Sequence, residues 1–327
     1  MVQLGRVLTD PTLAPAVNAL YVYSSNPAAI CPNQSLVLQG LARRDLYTVV
    51  HEQVMTDTAL WADLVLPATT SMEHADLYRS FGQFYLQYAE AVLPPQGEAQ
   101  SNWDVFARLS RALGAAEAHY ARGPEVALRA ALAGGDAAVR TIDLDHLRAA
   151  GWARLDLPRP YLPFAHGAPT PSGKVEFYAE SLLRQGLPAL PTWMPLAEGP
   201  AAVGEPSRFP LQCMVPPNRF FLNSSFSQSE RLRQRQGSPA VMLAPADAAS
   251  RGIADGDRVR VESARGAAEF TARVTDATQA GVAIIEGIWW HRFHPGGRNV
   301  NVLTSDRVAD MGGGPALHSN LVEVARV

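Results

Sequence analysis

The chain has 327 residues, 47% of them hydrophobic and 18% charged, with a formal net charge of -3 at pH 7. That balance describes a globular protein with a sizeable core and gives no electrostatic basis for a nucleic-acid or membrane partner. No apolar run approaches the ~20 residues of a membrane span, and the two cysteines, Cys31 and Cys213, are too few for a disulfide framework, a four-thiolate zinc site or an iron–sulfur cluster.

Residues 1–20 lack an apolar core after a basic start, so no secretory leader is expected and the default location is cytoplasmic. Strands are expected at Ala19 to Tyr23, Leu46 to Val50 and Leu64 to Leu66, alternating with helices at Gln34 to Leu41 and Trp103 to Leu113. This is the rhythm of a parallel α/β sheet, whose strands are buried on both faces. Between the second and third strands, Thr56-Asp57-Thr58 offers oxygens that cap a short helix beginning at Ala59. Ligands of open parallel sheets bind beyond the carboxyl ends of the strands, which places His51, Glu52 and Gln53 at a crevice.

Residues 1–114 are therefore expected to form an α/β domain, and 115–170 an Ala-rich helical annex. In the annex Pro124 starts one helix, Gly134-Gly135 stop it, and a second helix spans Asp143 to Ala150. Residues 171–207 form a Pro-rich linker, running to Pro200 and Pro206, in which Pro171 to Tyr178 suggests a turn and one strand. The final part, 208–327, changes to short strands at Ala240 to Leu243, Arg258 to Glu262, Phe270 to Val274 and Val282 to Glu286, with a helix from Ala246 to Arg251 stopped by Gly252. Closing such strands into a barrel removes exposed edges.

Asp57-Thr58-Ala59, Ala62 to Ala68 and Met72-Glu73, with Tyr21 to Pro27 upstream and Gly97-Glu98-Ala99 and Asn102-Trp103 downstream, resemble the pterin-cofactor domain of molybdenum oxidoreductases of the dimethyl sulfoxide reductase type. Formate dehydrogenases, nitrate reductases and thiosulfate reductases belong to that group. Pro245 to Ala248, Arg251-Gly252-Ile253 and Asp255 to Val259 are similar to its molybdopterin-dinucleotide-binding domain. The resemblance implies a Rossmann-like α/β domain followed by a six-stranded double-psi β-barrel of the aspartate-decarboxylase-like kind. It implies a molybdopterin guanine dinucleotide cofactor carrying molybdenum, and a chain that is the C-terminal half of its enzyme. An iron–sulfur cluster, if there is one, would reside in the missing N-terminal half, which would be the principal partner beside a small-molecule substrate. The cofactor contacts it implies are Asn26, His51, Glu52, His74, Asn102, Asn223, Ser224, Ser225, Asn301, His318 and Asn320. Glu52 and Asn102 stand where the family usually has Asp, and His74 where some members have Lys.

Taken alone, these residues have plainer readings. Asn26 before proline is an ordinary turn residue, Glu52 a solvated carboxylate, and Asn223 and Ser224 loop caps. Trp289-Trp290 suit packing, and Cys31 is a small apolar residue. His291 and His294 with Glu286 have metal-like spacing, but hydrogen-bonded histidines are the expectation. No G-x-S-x-G elbow supports a hydrolase. The basic run Arg231-Leu232-Arg233-Gln234-Arg235 reads as a solvated helix face, and Gly312 to Gly314 as a flexible loop. A non-catalytic module that binds the cofactor or a partner is the competing class.

Overall fold

The computed structural model describes residues 1–115, 120, 123–199 and 207–327. The described chain divides into two compact units, Met1–Leu66 with Pro195–Val327, and Pro67–Met194.

The first unit opens with helix α1 (Leu4–Thr9), for which the sequence carried no expectation. Strand β1 (Ala19–Tyr23) and helix α3 (Gln34–Leu41) occupy their expected positions, separated by a single turn, α2 (Pro27–Ile30), that Pro27 begins. Strand β2 (Tyr47–Glu52) begins one residue late and reaches two residues farther than expected, and β3 (Leu64–Pro67) follows a 3₁₀ turn at Ala59–Trp61. The sheet order is β1-β2-β3, with β1 and β2 parallel from Ala19↔Tyr47 to Tyr23↔His51. Helices α1 and α3 approach closely because a Cβ on Gly40 would sit 2.5 Å from Leu8 Cβ, and one on Gly5 2.8 Å from Leu36 Cβ. The expectation of strands buried on both faces is corrected. Side chains alternate along a strand, and Leu20, Val22 and Val50 pack with Leu8, Val37 or Ala59. The opposite face leaves Tyr23 and Tyr47 exposed, because no helix of this unit covers it.

In the second unit, β4 (Asp76–Tyr78), β5 (Tyr85–Ala89) and β6 (Trp152–Arg154) form an antiparallel sheet in that order. Helix α4 (Asn102–Ala112) starts where Ser101 Oγ accepts from Asp104 N. The expected annex helices are α5 (Pro124–Gly134) and α7 (Leu144–Ala150), with one turn, α6 (Ala137–Arg140), between them. Their apolar sides share one core with the sheet through Leu86, Tyr88, Leu132, Ile142, Leu144, Leu147 and Leu155. Pairing of β6 with β5 stitches the annex to residues of the expected first domain, so the compact units do not follow the boundaries at 114 and 170. The strand expected at Pro171 to Tyr178 is absent. Thr170 Oγ1 donates to Lys174 O and Ser172 N to Glu176 Oε1, which folds the segment into local turns, and a single helical turn, α8 (Glu180–Leu183), follows. Pro200 and Pro206 of the expected linker, and residues 116–119 and 121–122 of the expected annex, lie outside the described residues.

The chain then returns to the first unit with β7 (Leu211–Met214), α9 (Glu230–Gln236), β8 (Ala240–Leu243), α10 (Pro245–Ser250), β9 (Arg258–Glu262), β10 (Ala267–Val274), β11 (Val282–Ile285) and β12 (Asn320–Arg326). These strands close a mixed six-stranded barrel in the order β10-β8-β11-β7-β12-β9. Inward side chains include Leu211, Cys213, Val241, Leu243, Val259, Phe270, Ile285 and Val322. Burial pushes the Cys213 thiol up to about 12 and the Cys31 thiol up to about 11, so both are inert apolar residues at neutral pH. No described helix is long and apolar enough to cross a membrane.

The α/β layer and the barrel share buried polar contacts. Asn299 Nδ2 donates to Ala29 O (3.0 Å) and Trp289 O (2.8 Å), while its Oδ1 accepts from Asn301 N. Gln34 donates to Ala28 O and accepts from Asn299 N. Arg6 forms a two-pronged pair with the buried carboxylate of Asp306. Asn299→Ala strands several buried groups at once and is expected to cost about 3 kcal/mol. Arg208→Ala, which removes an exposed pair with Glu262, should cost less than ~0.5 kcal/mol. Urea unfolding of both variants checks the contrast; equal midpoints would contradict it.

Candidate functional site

Parallel β1 and β2 deliver their carboxyl ends side by side, with Ser24 N donating to His51 O. Ser24 adopts φ 48°, the left-handed turn that bends the chain out of β1 towards Asn26. Asn26 is buried; its Oδ1 accepts from Thr58 N (3.1 Å) and Thr58 Oγ1 (2.8 Å), and Thr58 Oγ1 accepts in turn from Ala28 N. Asn26 Nδ2 is also buried and has no hydrogen-bond partner among the described residues. Such a donor costs free energy unless something accepts from it. His51 is fully buried at the end of β2. Glu52 beside it is half-buried, and desolvation raises its carboxyl above the usual range even though Gln53 N and Ser25 N donate to it.

Asp57 has no exposed surface. It accepts from His291 N (2.6 Å), lies 3.0 Å from His291 Nδ1 and pairs with Arg292 Nε at 3.2 Å. Arg292 also donates to Met55 O, and its guanidinium lies over Trp290, 4.7 Å from the ring centroid. Trp290 Nε1 donates to Ser224 O (2.8 Å), and Trp289 packs edge-on against Phe221. Hydrogen bonds and short side-chain steps thus run from Asn26 through Thr58, Asp57, His291 and Trp290 to the barrel loop carrying Asn223, Ser224 and Ser225. Asn223 is exposed at φ 48°, and Ser225 is exposed in a tight turn with Leu222. Gly287 lets that loop lie close, because a Cβ there would sit 2.1 Å from Asn218 Nδ2 while Gly287 N donates to Pro216 O.

Other expected contacts fall elsewhere. Asn301, expected as a cofactor contact, is buried: its Nδ2 donates to Ala29 O and its Oδ1 accepts from Thr304 Oγ1. Asn320 is likewise enclosed, bonded to Ser305 N, Arg265, Ala316 O and Leu317 O. Both amides are occupied in holding loops. His318 is exposed, its Nδ1 accepting from Val215 N. His74 and Asn102 belong to the second unit, where they line a cavity of about 680 Å³ with Glu73, Trp103, Glu125 and Arg148. There His74 Nδ1 lies 2.9 Å from Thr69 Oγ1. Hydrogen bonds from Thr70 and Gln96 hold the Glu73 carboxyl below the usual range.

Asp57, His291, Arg292 and Trp290 were not expected at a site. Thr56-Asp57-Thr58 carried only the signal of a helix cap, and the pairing of Asp57 with His291 spans 234 residues. The metal-like spacing of His291 and His294 leads nowhere, since the described residues contain no group of three potential ligands. His294 is buried edge-on against Phe270, and burial holds its pKa down at about 4. The basic run on α9 is only partly solvated: Arg233 donates to Ser227 O and stacks 3.7 Å over Phe293.

Residues 8–112 match the molybdopterin oxidoreductase family, and residues 211–321 match the molydopterin dinucleotide binding domain. The chain is 38% identical to the probable oxidoreductase YoaE of Bacillus subtilis, over 100% of this chain and 46% of that protein. It is 33% identical to biotin sulfoxide reductase of Cereibacter sphaeroides, over 84% of this chain and 40% of that protein. Trimethylamine-N-oxide reductase of Haemophilus influenzae is 31% identical over 89% of this chain and 39% of its own length. The chain thus spans less than half the length of these curated relatives. Acetylene hydratase from Pelobacter acetylenicus shares the fold, with a TM-score of 0.82 at 22% identity over 99% of this chain and 46% of that one.

Two outcomes follow from the site's electrostatics. A carboxyl whose pKa is raised by folding holds its proton more tightly folded than unfolded, so stability falls as pH rises from the ordinary value through the raised one. Glu52→Gln should therefore match the wild type below the ordinary glutamate range and exceed it at neutral pH; parallel stability profiles would contradict the burial of this group. Asp57→Ala leaves His291 N without its acceptor and Arg292 without its ion pair and is expected to cost about 3 kcal/mol in urea unfolding. A cost near zero would show that the link bears no strain.

Proposed function

We propose that this chain, in which residues 8–112 match the molybdopterin oxidoreductase family and 211–321 the molydopterin dinucleotide binding domain, binds a pterin dinucleotide within a larger molybdenum enzyme of two-electron oxo-transfer or dehydrogenation. The observation that carries this reading is the crevice at the carboxyl ends of β1 and β2, which gathers a buried spare donor on Asn26 and a half-buried carboxylate on Glu52. Polar groups held in this way suit a flat ligand rich in donors and acceptors. The residues present therefore fit the cofactor.

In this reading Asn26 Nδ2 donates to the cofactor, Glu52 accepts from its amino or hydroxyl groups, and His51 backs the crevice. The loop of Asn223, Ser224 and Ser225 supplies amide and hydroxyl contacts. Asn301 and Asn320 act indirectly, bracing the loops around them, and His318 stands at the margin. His74 and Asn102 offer polar contacts within the second unit's own cavity. When bound, the molybdenum centre supplies exchange of two electrons, while the protein binds, orients and shields. The nucleotide is guanine, the first layer is Rossmann-like and the barrel double-psi. Metal ligand and any iron–sulfur cluster come from polypeptide outside this chain. Two relatives are named as reductases of a sulfoxide and an N-oxide, which favours an oxide of sulfur or nitrogen as the substrate class.

Asn26→Asp tests the reading with little change of shape. It keeps the oxygen that Thr58 bonds and replaces the spare donor with an acceptor. Pterin released from the purified native assembly by oxidation should fall about tenfold, the ~1.4 kcal/mol of one lost hydrogen bond to a buried partner. The melting curve of the same sample reports whether the fold survives. Full pterin content in a folded variant would remove Asn26 from the site.

A further inference from the structure

We propose that three exposed arginines on and beside helix α9, Arg219, Arg231 and Arg235, form a docking surface for a partner protein that presents clustered carboxylates. The inference goes beyond the cofactor reading and does not depend on it.

Between Pro216 and Pro239 the chain carries four arginines against one carboxylate, Glu230, within a protein whose net charge is -3. Glu230 is turned along its own helix, where its Oε1 accepts from Gln234 Nε2. Arg233 is structural. Its guanidinium lies 3.7 Å from the ring centroid of Phe293 and donates to Ser227 O, which fixes α9 against the barrel loops. The other three arginines are exposed, and none has an ion pair or a hydrogen bond among the described residues.

Arg231 and Arg235 stand four residues apart on one face of α9, where like charges repel and weaken a helix. Arg219 brings a third charge to the same place, because its guanidinium and that of Arg235 both lie over the ring of Phe220, 5.9 and 5.2 Å from the centroid. Phe220 is held in turn by its own N–H, which donates to Asn218 Oδ1. Like charges gathered without a counter-charge destabilise the compact state, and a bound anion relieves that repulsion.

The chemistry selects the partner. A guanidinium resting on an aromatic ring keeps its N–H edge free, which suits two-pronged bonds to carboxylate or phosphate. Three cations fall short of the roughly 6 to 10 phosphate contacts of a nucleic-acid complex, and the negative charge of the whole chain opposes a long polyanion. Arginine around an aromatic side chain is instead the composition of protein interfaces and of the residues that dominate their energy. The complementary surface is therefore an acidic patch on a folded partner.

Fluorescence anisotropy on the native protein tests this, with a labelled poly-L-glutamate peptide as the probe at low and at physiological ionic strength. The triple variant Arg219→Gln, Arg231→Gln, Arg235→Gln is compared with a charge-matched control, Arg44→Gln, Arg273→Gln, Arg307→Gln, which removes three exposed arginines elsewhere. The first should bind about tenfold more weakly than the wild type, and the control within about twofold of it. Equal affinities for wild type and triple variant would overturn the proposal. Equal losses in the two variants would reduce the effect to net charge and sink it too. Tighter binding of a single-stranded oligonucleotide of the same charge would refute it in favour of a phosphate partner. A changed sedimentation coefficient in the triple variant also counts against it, by placing the arginines inside the native assembly. Arg231→Gln alone removes no contact within the fold and should lower affinity in the same direction, so the test survives misfolding of the triple variant.

Discussion

The first unit depends on a buried carboxylate. Asp57 carries its charge out of contact with water, a state that is costly unless the charge is paired and hydrogen-bonded. His291 N, which donates to it, and Arg292, which pairs with it, provide that compensation, and both come from the far end of the chain. Asp57 therefore fixes the turn after β2 to the segment after β11. Thr58, next in sequence, holds Asn26; Trp290, just before His291, holds Ser224. A shift of Asp57 would disturb both of these contacts together.

A second layer of buried amides makes that link rigid. Asn299 and Asn301 both donate to Ala29 O, and Ala29 itself packs into the barrel core. The closed barrel has no edge to slip, so loops anchored to it are held at defined positions, the usual relation between a rigid scaffold and the loops that carry function. Gly287 adds a steric condition, since any side chain there would collide with Asn218 and lift the loop that carries Asn223 to Ser225.

Much of the fold was legible in the sequence, and the failures have physical causes. β1, α3, β8 and β9 stand at the expected residues because each is an apolar or alternating run bounded by turn residues. β7 was hidden by Pro210 on one side and Pro216-Pro217 on the other, and β12 by its place at the end of the chain, although the barrel cannot close without them. β4 and β6 have three residues each, too few to show a period. The Lys174 to Tyr178 pattern alternates like a strand but finds no partner. Asn26 and the loop of Asn223 to Ser225 carry motif signals in the sequence, and the structure shows Asn26 buried and Asn223 and Ser225 exposed. Asn301 and Asn320 were expected as cofactor contacts, because sequence does not distinguish an amide that faces a ligand from one that satisfies buried backbone. Asp57 with His291 was invisible for a simpler reason: no local pattern links residues 234 apart.

The central claim is that this chain holds a pterin dinucleotide. The most direct measurement is the identity and amount of pterin nucleotide released from the native protein, by oxidation to fluorescent products and mass determination. The account predicts a pterin joined to guanine nucleotide in fixed proportion to protein. Native protein that is folded, at full length, and yields no pterin would contradict it.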